Sequence, residues 1–382
     1  MAIPIDYETL RLIWWVLIGV LLIGFALTDG FDLGVTAMLP FIARSDAERR
    51  LVINTISATW EGNQVWFILG GGAIFAAWPF VYAVSFSGLY PAMFVVLAAL
   101  ILRPVAFKYR SKRPEPGWRS RWDWALFVAG FVPALVFGVA VGNVLTGLPF
   151  RFDDDLRSFY EGSLIALFSP FALLCGLLSV AMVVLHGACW LAMKIEPGAV
   201  QDRARRFGVS AAAAAILLFA VGYVLTAWGP FGMRIDPAAI TSGPSNPRMS
   251  GSSAMAGAWL DNFHARPLLW VVPLIGFIGS GLAAAGLWIR RDLMAFAGSS
   301  LATFGIIATV GLSMFPFILP SSIDPRSSLT VWNASSSPAT LFVMLIVTAV
   351  MLPVILLYTA WVYRVLFGRV TAEDVRINPD FY

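Results

Sequence analysis

The sequence predicts an all-α integral membrane protein with nine transmembrane helices. Of its 382 residues, 59% are hydrophobic and 13% charged, and the mean hydropathy is +0.80. An average soluble domain carries about 25% charged residues. The apolar runs reach about 20 residues, the length of a spanning helix, and do not alternate over about 10 residues as barrel strands do. The basic residues gather in every second loop, as cytoplasmic loops require.

The helices fall at roughly 10–28, 60–78, 80–102, 123–146, 164–192, 208–228, 268–288, 293–315 and 339–363. The second is the least apolar, because it holds Glu61, Asn63, Gln64 and the run Gly70-Gly71-Gly72. Residues 65–78 are nevertheless apolar, and Pro79 suits the first turn of the next helix. The loop after helix three carries Lys108, Arg110, Lys112, Arg113, Arg119 and Arg121, which makes it cytoplasmic. The next holds Asp153, Asp154, Asp155 and Glu161 and is external. Lys194, Arg203, Arg205 and Arg206 lie inside, the Gly/Pro/Ser-rich loop 229–266 outside, Arg290 and Arg291 inside, and Ser321 to Pro338 outside. Arg364, Arg369 and Arg376 place the C-terminus in the cytoplasm. Arg44, Arg49 and Arg50 decide the count: nine crossings put them inside and the N-terminus outside, whereas eight would leave three arginines external. The chain is one polytopic domain over residues 1–382, and Gly, Ala and Ser in several helices suit close packing in lipid.

Several functions are excluded. The net charge of +4 comes mostly from short-loop arginines, and no basic run interleaved with aromatics suggests nucleic acid. The first residues, with Asp6 and Glu8 and no Lys or Arg, lack the positive region of a signal peptide. Cys175 and Cys189 would stand about 21 Å apart along one helix, too far to bridge. No CxxC, GxGxxG, P-loop or HExxH pattern is present, and no metal site is expected.

Asp29, Asp32, Glu61 and Arg103 stand out. An ionisable group at mid-membrane costs about 2.5–3.5 kcal/mol on insertion scales and usually persists because something uses it. With nine crossings, Asp29 and Asp32 share one helical face at the cytoplasmic end of helix one. Glu61 then opens helix two and Arg103 closes helix three at the same depth. Three carboxylates and one guanidinium suit a proton relay; they also suit a structural salt-bridge cluster, and the residues alone leave both open. The chain has two histidines, His186 in a helix and His264 in a loop. A chain ligating several haems would need more; His186 with a Met partner could ligate one, but a hydrogen-bonded or interfacial histidine is the favoured reading, so the chain is expected to hold no haem by itself. Trp14, Trp15, Trp66, Trp78 and Trp361 read as interface and packing residues.

Longer motifs carry a resemblance. They are DYETLRLIWWVLIGVLLIGFALTDGFDLGV (6–35), WEGNQVWFILGGGAIFAAWPFVYAVSFSGLY (60–90), LRPVAFKYRSK (102–112), GNVLTGLPF (142–150), MFPFILPSS (314–322), SLTVWNASSS (328–337) and ILLYTAWVYRVLFGRVT (355–371). The chain resembles subunit II of the cytochrome bd-type quinol oxidases. That resemblance implies two four-helix bundles plus one peripheral helix. It implies a heterodimer with subunit I, which would hold haem b and haem d, and leaves room for a small single-helix subunit. The implied reaction is electrogenic, non-pumping quinol oxidation coupled to reduction of O₂ to water in the bacterial cytoplasmic membrane. Contacts with lipid and quinol follow, and no catalytic residue is expected in this chain. Asp29 and Asp32 match the aspartates of the family's TDGFD element, and Arg103 matches its RP element. Glu61 stands where relatives have Asp. These positions imply a cytoplasmic proton inlet, and Trp66 matches a residue of the proposed oxygen route. The rival readings are a proton-coupled secondary transporter and a purely structural scaffold.

Overall fold

A computed structural model describes residues 3–236 and 242–377. Part of the 229–266 loop lies outside the described residues. Helix α1 spans Tyr7–Ile42, 36 residues, with the Asp6 carboxylate accepting from the Thr9 amide at its start. It continues well past 28, because the residues after Asp32 are again apolar. Asp29 and Asp32 therefore lie inside a helix and not at its end. A capping box of Ser45 and Glu48 starts the short α2 (Asp46–Asn54).

Helix α3 covers Trp60–Ala77 and gives way at Trp78 to α4 (Pro79–Gly88). The chain breaks again at Leu89 before α5 (Tyr90–Tyr109). The predicted helix 80–102 is thus two helices. Pro91 in the first turn of α5 has no N–H to donate to α4, and its ring restricts the residue before it. Next come α6 (Pro116–Thr146), α7 (Pro170–Lys194) and α8 (Ala199–Trp228). Ser169 caps α7, so that helix begins after 164, whereas α8 extends its basic first turns ahead of 208. The remainder are α9 (Asp261–Ala265), α10 (Val271–Trp288), α11 (Asp292–Met314), α12 (Pro338–Val365) and α13 (Ala372–Ile377).

Among the described residues, 8 helices are long and apolar enough to cross a membrane: α1, α5, α6, α7, α8, α10, α11 and α12. The polar first turn of α3 leaves it outside that group. Its ends are still informative. Trp60 packs with Ile42, Phe107, Leu126 and Ile195. Ala77 packs with Leu10, Leu148, Leu319 and Leu341. These clusters occupy opposite ends of α1, so α3 runs the length of the bundle. The loops at the first end carry most of the arginines. Three small antiparallel hairpins, Phe150–Phe152 with Ser158–Tyr160, Met233–Ile235 with Ser252–Ala254, and Phe317–Leu319 with Leu329–Thr330, decorate the other.

Helix α1 is central and packs on α3, α6, α7, α11 and α12. Its close approach to α7 needs a glycine: a Cβ on Gly34 would lie 1.9 Å from the Val183 carbonyl oxygen. Gly130 does the same for α6, where a Cβ would lie 2.5 Å from the Leu33 carbonyl oxygen. Helix α12 is nearly bare, with Leu341 its one buried residue. Overpacking a filled site costs about 1–3 kcal/mol. Gly34→Ala should therefore lower the melting temperature of the assembled protein, while Gly19→Ala, facing open space, should leave it unchanged. Equal melting curves would refute the close-packing argument.

Candidate functional site

The centre of the site is an ion pair with no access to solvent. Arg103 Nη1 donates to Asp29 Oδ1 at 2.5 Å, and Asp29, Asp32 and Arg103 are each 0% exposed. One turn along α1, Asp32 Oδ2 accepts from Asn63 Nδ2 at 2.7 Å. Asn63 Oδ1 in turn accepts from the Tyr363 hydroxyl at 2.7 Å. The Trp60 ring centroid lies 6.0 Å from the guanidinium carbon of Arg103, which ties the site to the apolar cluster at the basic end. Four helices, α1, α3, α5 and α12, thus meet at one depth.

Four buried polar atoms there have no hydrogen-bond partner: Asp29 Oδ2, Asp32 Oδ1, and Arg103 Nε and Nη2. Buried polar groups are normally satisfied; Arg110 Nη1 at the basic end is buried without a partner as well. Two carboxylates and one guanidinium carry a net negative charge, and adding a single proton makes the cluster neutral. In a low-dielectric setting that neutrality is worth several kcal/mol.

The predicted residues separate. Asp29, Asp32 and Arg103 come together. Glu61 does not join them; it is exposed. Asn63 faces inward, and residues two apart on a helix point to nearly opposite sides. Trp66 is buried, with its ring against Gly24, where an added Cβ would lie 2.8 Å from Trp66 Cε3. Asn63 and Tyr363 join the cluster through these hydrogen bonds, which the sequence reading does not anticipate. The GNQVWF motif put Asn63 in view, but nothing in the chain announces that Tyr363, 300 residues away, reaches it.

The basic end is held by shared carboxylates. Asp123 accepts from Arg49 at 2.8 Å and from Arg110 at 2.6 Å. Asp46 accepts from Arg110 at 2.8 Å and from Arg119 at 2.6 Å. Asp292 pairs with Arg205 and with Arg369. The segment after α12 is bound to α7, with Lys194 Nζ donating to the Leu366 carbonyl at 2.6 Å and the Val370 amide donating to the Lys194 carbonyl at 2.7 Å.

The family of cytochrome bd terminal oxidase subunit II matches residues 10–366. This chain belongs to that family. It is similar to the cytochrome bd-I ubiquinol oxidase subunit 2 of Escherichia coli K12, 48% identical over 374 residues and 98% of each chain. It is 49% identical to a probable cytochrome oxidase subunit 2 of Haemophilus influenzae, again over 98% of each chain. The cytochrome bd ubiquinol oxidase subunit 2 of Bacillus subtilis is 30% identical over 95% of this chain and 97% of its own length. Among solved structures, the bd oxidase from Geobacillus thermodenitrificans aligns with a TM-score of 0.68 over 94% of this chain and 99% of that one; at 15% identity it supports the fold alone.

As a cytochrome bd subunit II, the chain is a multi-pass membrane part of an oxidoreductase complex, its partner is subunit I, and the complex contains haem. His186 has no ring nitrogen left over for a haem iron. His186 Nδ1 bonds the Ser299 hydroxyl at 2.8 Å and Nε2 bonds the Leu27 carbonyl at 3.0 Å, so both ring nitrogens are engaged. His264 is exposed on the short α9. Among the described residues no group of three or more His, Cys, Asp or Glu could hold a metal.

The ion pair gives a test. Arg103→Met strands the Asp29 carboxylate, a change worth about 3–5 kcal/mol at a buried pair, and should cut the yield of assembled, haem-containing complex. Adding Asp29→Asn to the same variant should restore most of that yield. Absence of any rescue would show that the two side chains do not depend on each other.

Proposed function

We propose that this chain is the haem-free subunit of a quinol-oxidising, oxygen-reducing complex and supplies its cytoplasmic proton inlet. The overall reaction balances as two quinols and one O₂ giving two quinones and two waters. Protons for water enter from the cytoplasm and quinol protons leave outside, so charge separates without pumping. Haem b and haem d are assigned to subunit I. The assignment is supported here by the engaged nitrogens of His186. The location is the bacterial cytoplasmic membrane, in contact with lipid and quinol.

One observation carries the inlet: a solvent-free Asp29–Asp32–Arg103 cluster with four unpartnered polar atoms, sitting just beneath the arginine-rich end. A site that is neutral with one proton and has unsatisfied donors and acceptors can accept a proton and release it. The orientation we infer places that end in the cytoplasm, the N-terminus outside and the C-terminus inside. Helix α3 is then the ninth crossing. The helices form two groups, α1/α3/α5/α6 and α7/α8/α10/α11, with α12 peripheral; the packing of α7 on α8 and of α10 on α11 supports this. Glu61 lies on the exposed side of α3 with Val65, Ile68 and Phe75. We assign that side to subunit I, with Glu61 passing protons toward it. An oxygen route along the apolar part of α3 from Trp66 belongs to the same proposal. A further single-helix subunit would find room along the bare α12. The family match weighs against a proton-coupled transporter.

Asp32→Asn should preserve assembly and haem absorbance while slowing oxygen consumption by about tenfold or more. Glu61→Gln should act in the same direction. Turnover at the wild-type rate with full haem content would eliminate the inlet. A reporter fused near residue 46 should register as cytoplasmic; an external signal would overturn the orientation.

A further inference from the structure

Tyr363 sits at the end of the Asp32 hydrogen-bond chain, on a helix that is otherwise almost unburied. Its hydroxyl donates to Asn63 Oδ1, and Asn63 Nδ2 donates to Asp32 Oδ2, both at 2.7 Å. The ring is edge-on to Trp190, with centroids 6.1 Å apart. Beyond it, Lys194 grips the Leu366 and Gly368 carbonyls, and Arg369 pairs with Asp292. The basic end of α12 is thereby fastened to α7 and α11, although the helix itself is almost unburied.

The chain has a polarity. With the tyrosine hydroxyl donating to its oxygen, the Asn63 amide presents N–H to Asp32, the arrangement that suits a carboxylate. Turned over, the amide would present its oxygen to Asp32, the arrangement that suits a carboxylic acid. Its N–H₂ would then meet the tyrosine oxygen as acceptor. A phenol both donates and accepts, so Tyr363 satisfies the amide in either orientation. Phenylalanine would satisfy it in neither. The other charged or titratable groups around Asp32 are Asp29 on its own helix and Arg103 on α5. Asn63 and Trp60 of α3 are neutral. His186 of α7 bonds Leu27 and Ser299 instead, and Asp123 of α6 is taken by Arg49 and Arg110.

We propose that Tyr363 is a positioning residue for Asp32, holding the Asn63 amide so that it serves both the charged and the neutral carboxyl. This rests on the reading of Asp32 as part of the inlet. The experiment uses the assembled oxidase carrying Tyr363→Phe, which removes one oxygen and keeps the ring against Trp190. Haem content should be unchanged. Oxygen consumption should fall roughly threefold to tenfold, the range for one lost hydrogen bond, with a displaced pH profile. In an Asp32→Asn background the substitution should add no further loss. The infrared carboxyl band that Asp32→Asn removes should be displaced by Tyr363→Phe. An unmoved band with a wild-type pH profile would overturn the proposal, as would the same fold-loss in the Asp32→Asn background. Should Tyr363→Phe not assemble, Asn63→Ala cuts the same chain at its middle and carries the same readouts. Wild-type turnover by Asp32→Asn would defeat the inlet reading alone, because the displaced band would still report the positioning.

Discussion

A guanidinium and a carboxylate with no solvent access, joined across two helices inside an apolar bundle, set the terms for this fold. Neither charge would be tolerated there alone, and removing one partner of such a pair costs about 3–5 kcal/mol. The Arg103–Asp29 contact therefore fixes the register of α5 against α1. The packing around it follows from the same demand. Gly34 and Gly130 let α7 and α6 close on α1 backbone to backbone, which leaves little space for lipid or bulk water beside the acids. Asn63 brings α3 in as a polar neighbour, and Tyr363 brings in α12.

The cluster is not fully satisfied by its own partners. Here one oxygen of each aspartate and two guanidinium nitrogens are left over. On the arginine-rich surface above the cluster, Asp46, Asp123 and Asp292 each accept from two arginines, and Arg110 Nη1 is left over there. Those shared contacts order the loops and, through Asp292, tie the C-terminal segment to α8 and α11.

Much of this was legible in the sequence. Apolar run length located the helices long enough to cross a membrane, eight of them among the described residues, and arginine placement grouped the loops that the structure gathers at one end. Rarity of charge in apolar sequence singled out Asp29, Asp32 and Arg103. The failures have physical causes. Two aspartates look like the end of a hydrophobic helix, yet a charge paired from another helix lets α1 run on to Ile42. Pro91 was the available signal for the break inside 80–102, but apolar content on both sides concealed it. Glu61 was grouped by depth, while its direction around α3 depends on which residues of that helix face α1. The Asn63–Tyr363 contact joins distant parts of the chain and depends on how α12 packs, which no local pattern encodes.

The central claim is that Asp29 and Asp32 take up protons from the arginine-rich side for oxygen reduction. Side-specific proton uptake by the oxidase in oriented vesicles, triggered by an oxygen pulse, tests it most directly. Uptake should come from the side bearing residues 44–50 and should slow when both aspartates are replaced by asparagine, with haem content intact. Unchanged uptake in that variant, or uptake from the opposite face, would contradict the account.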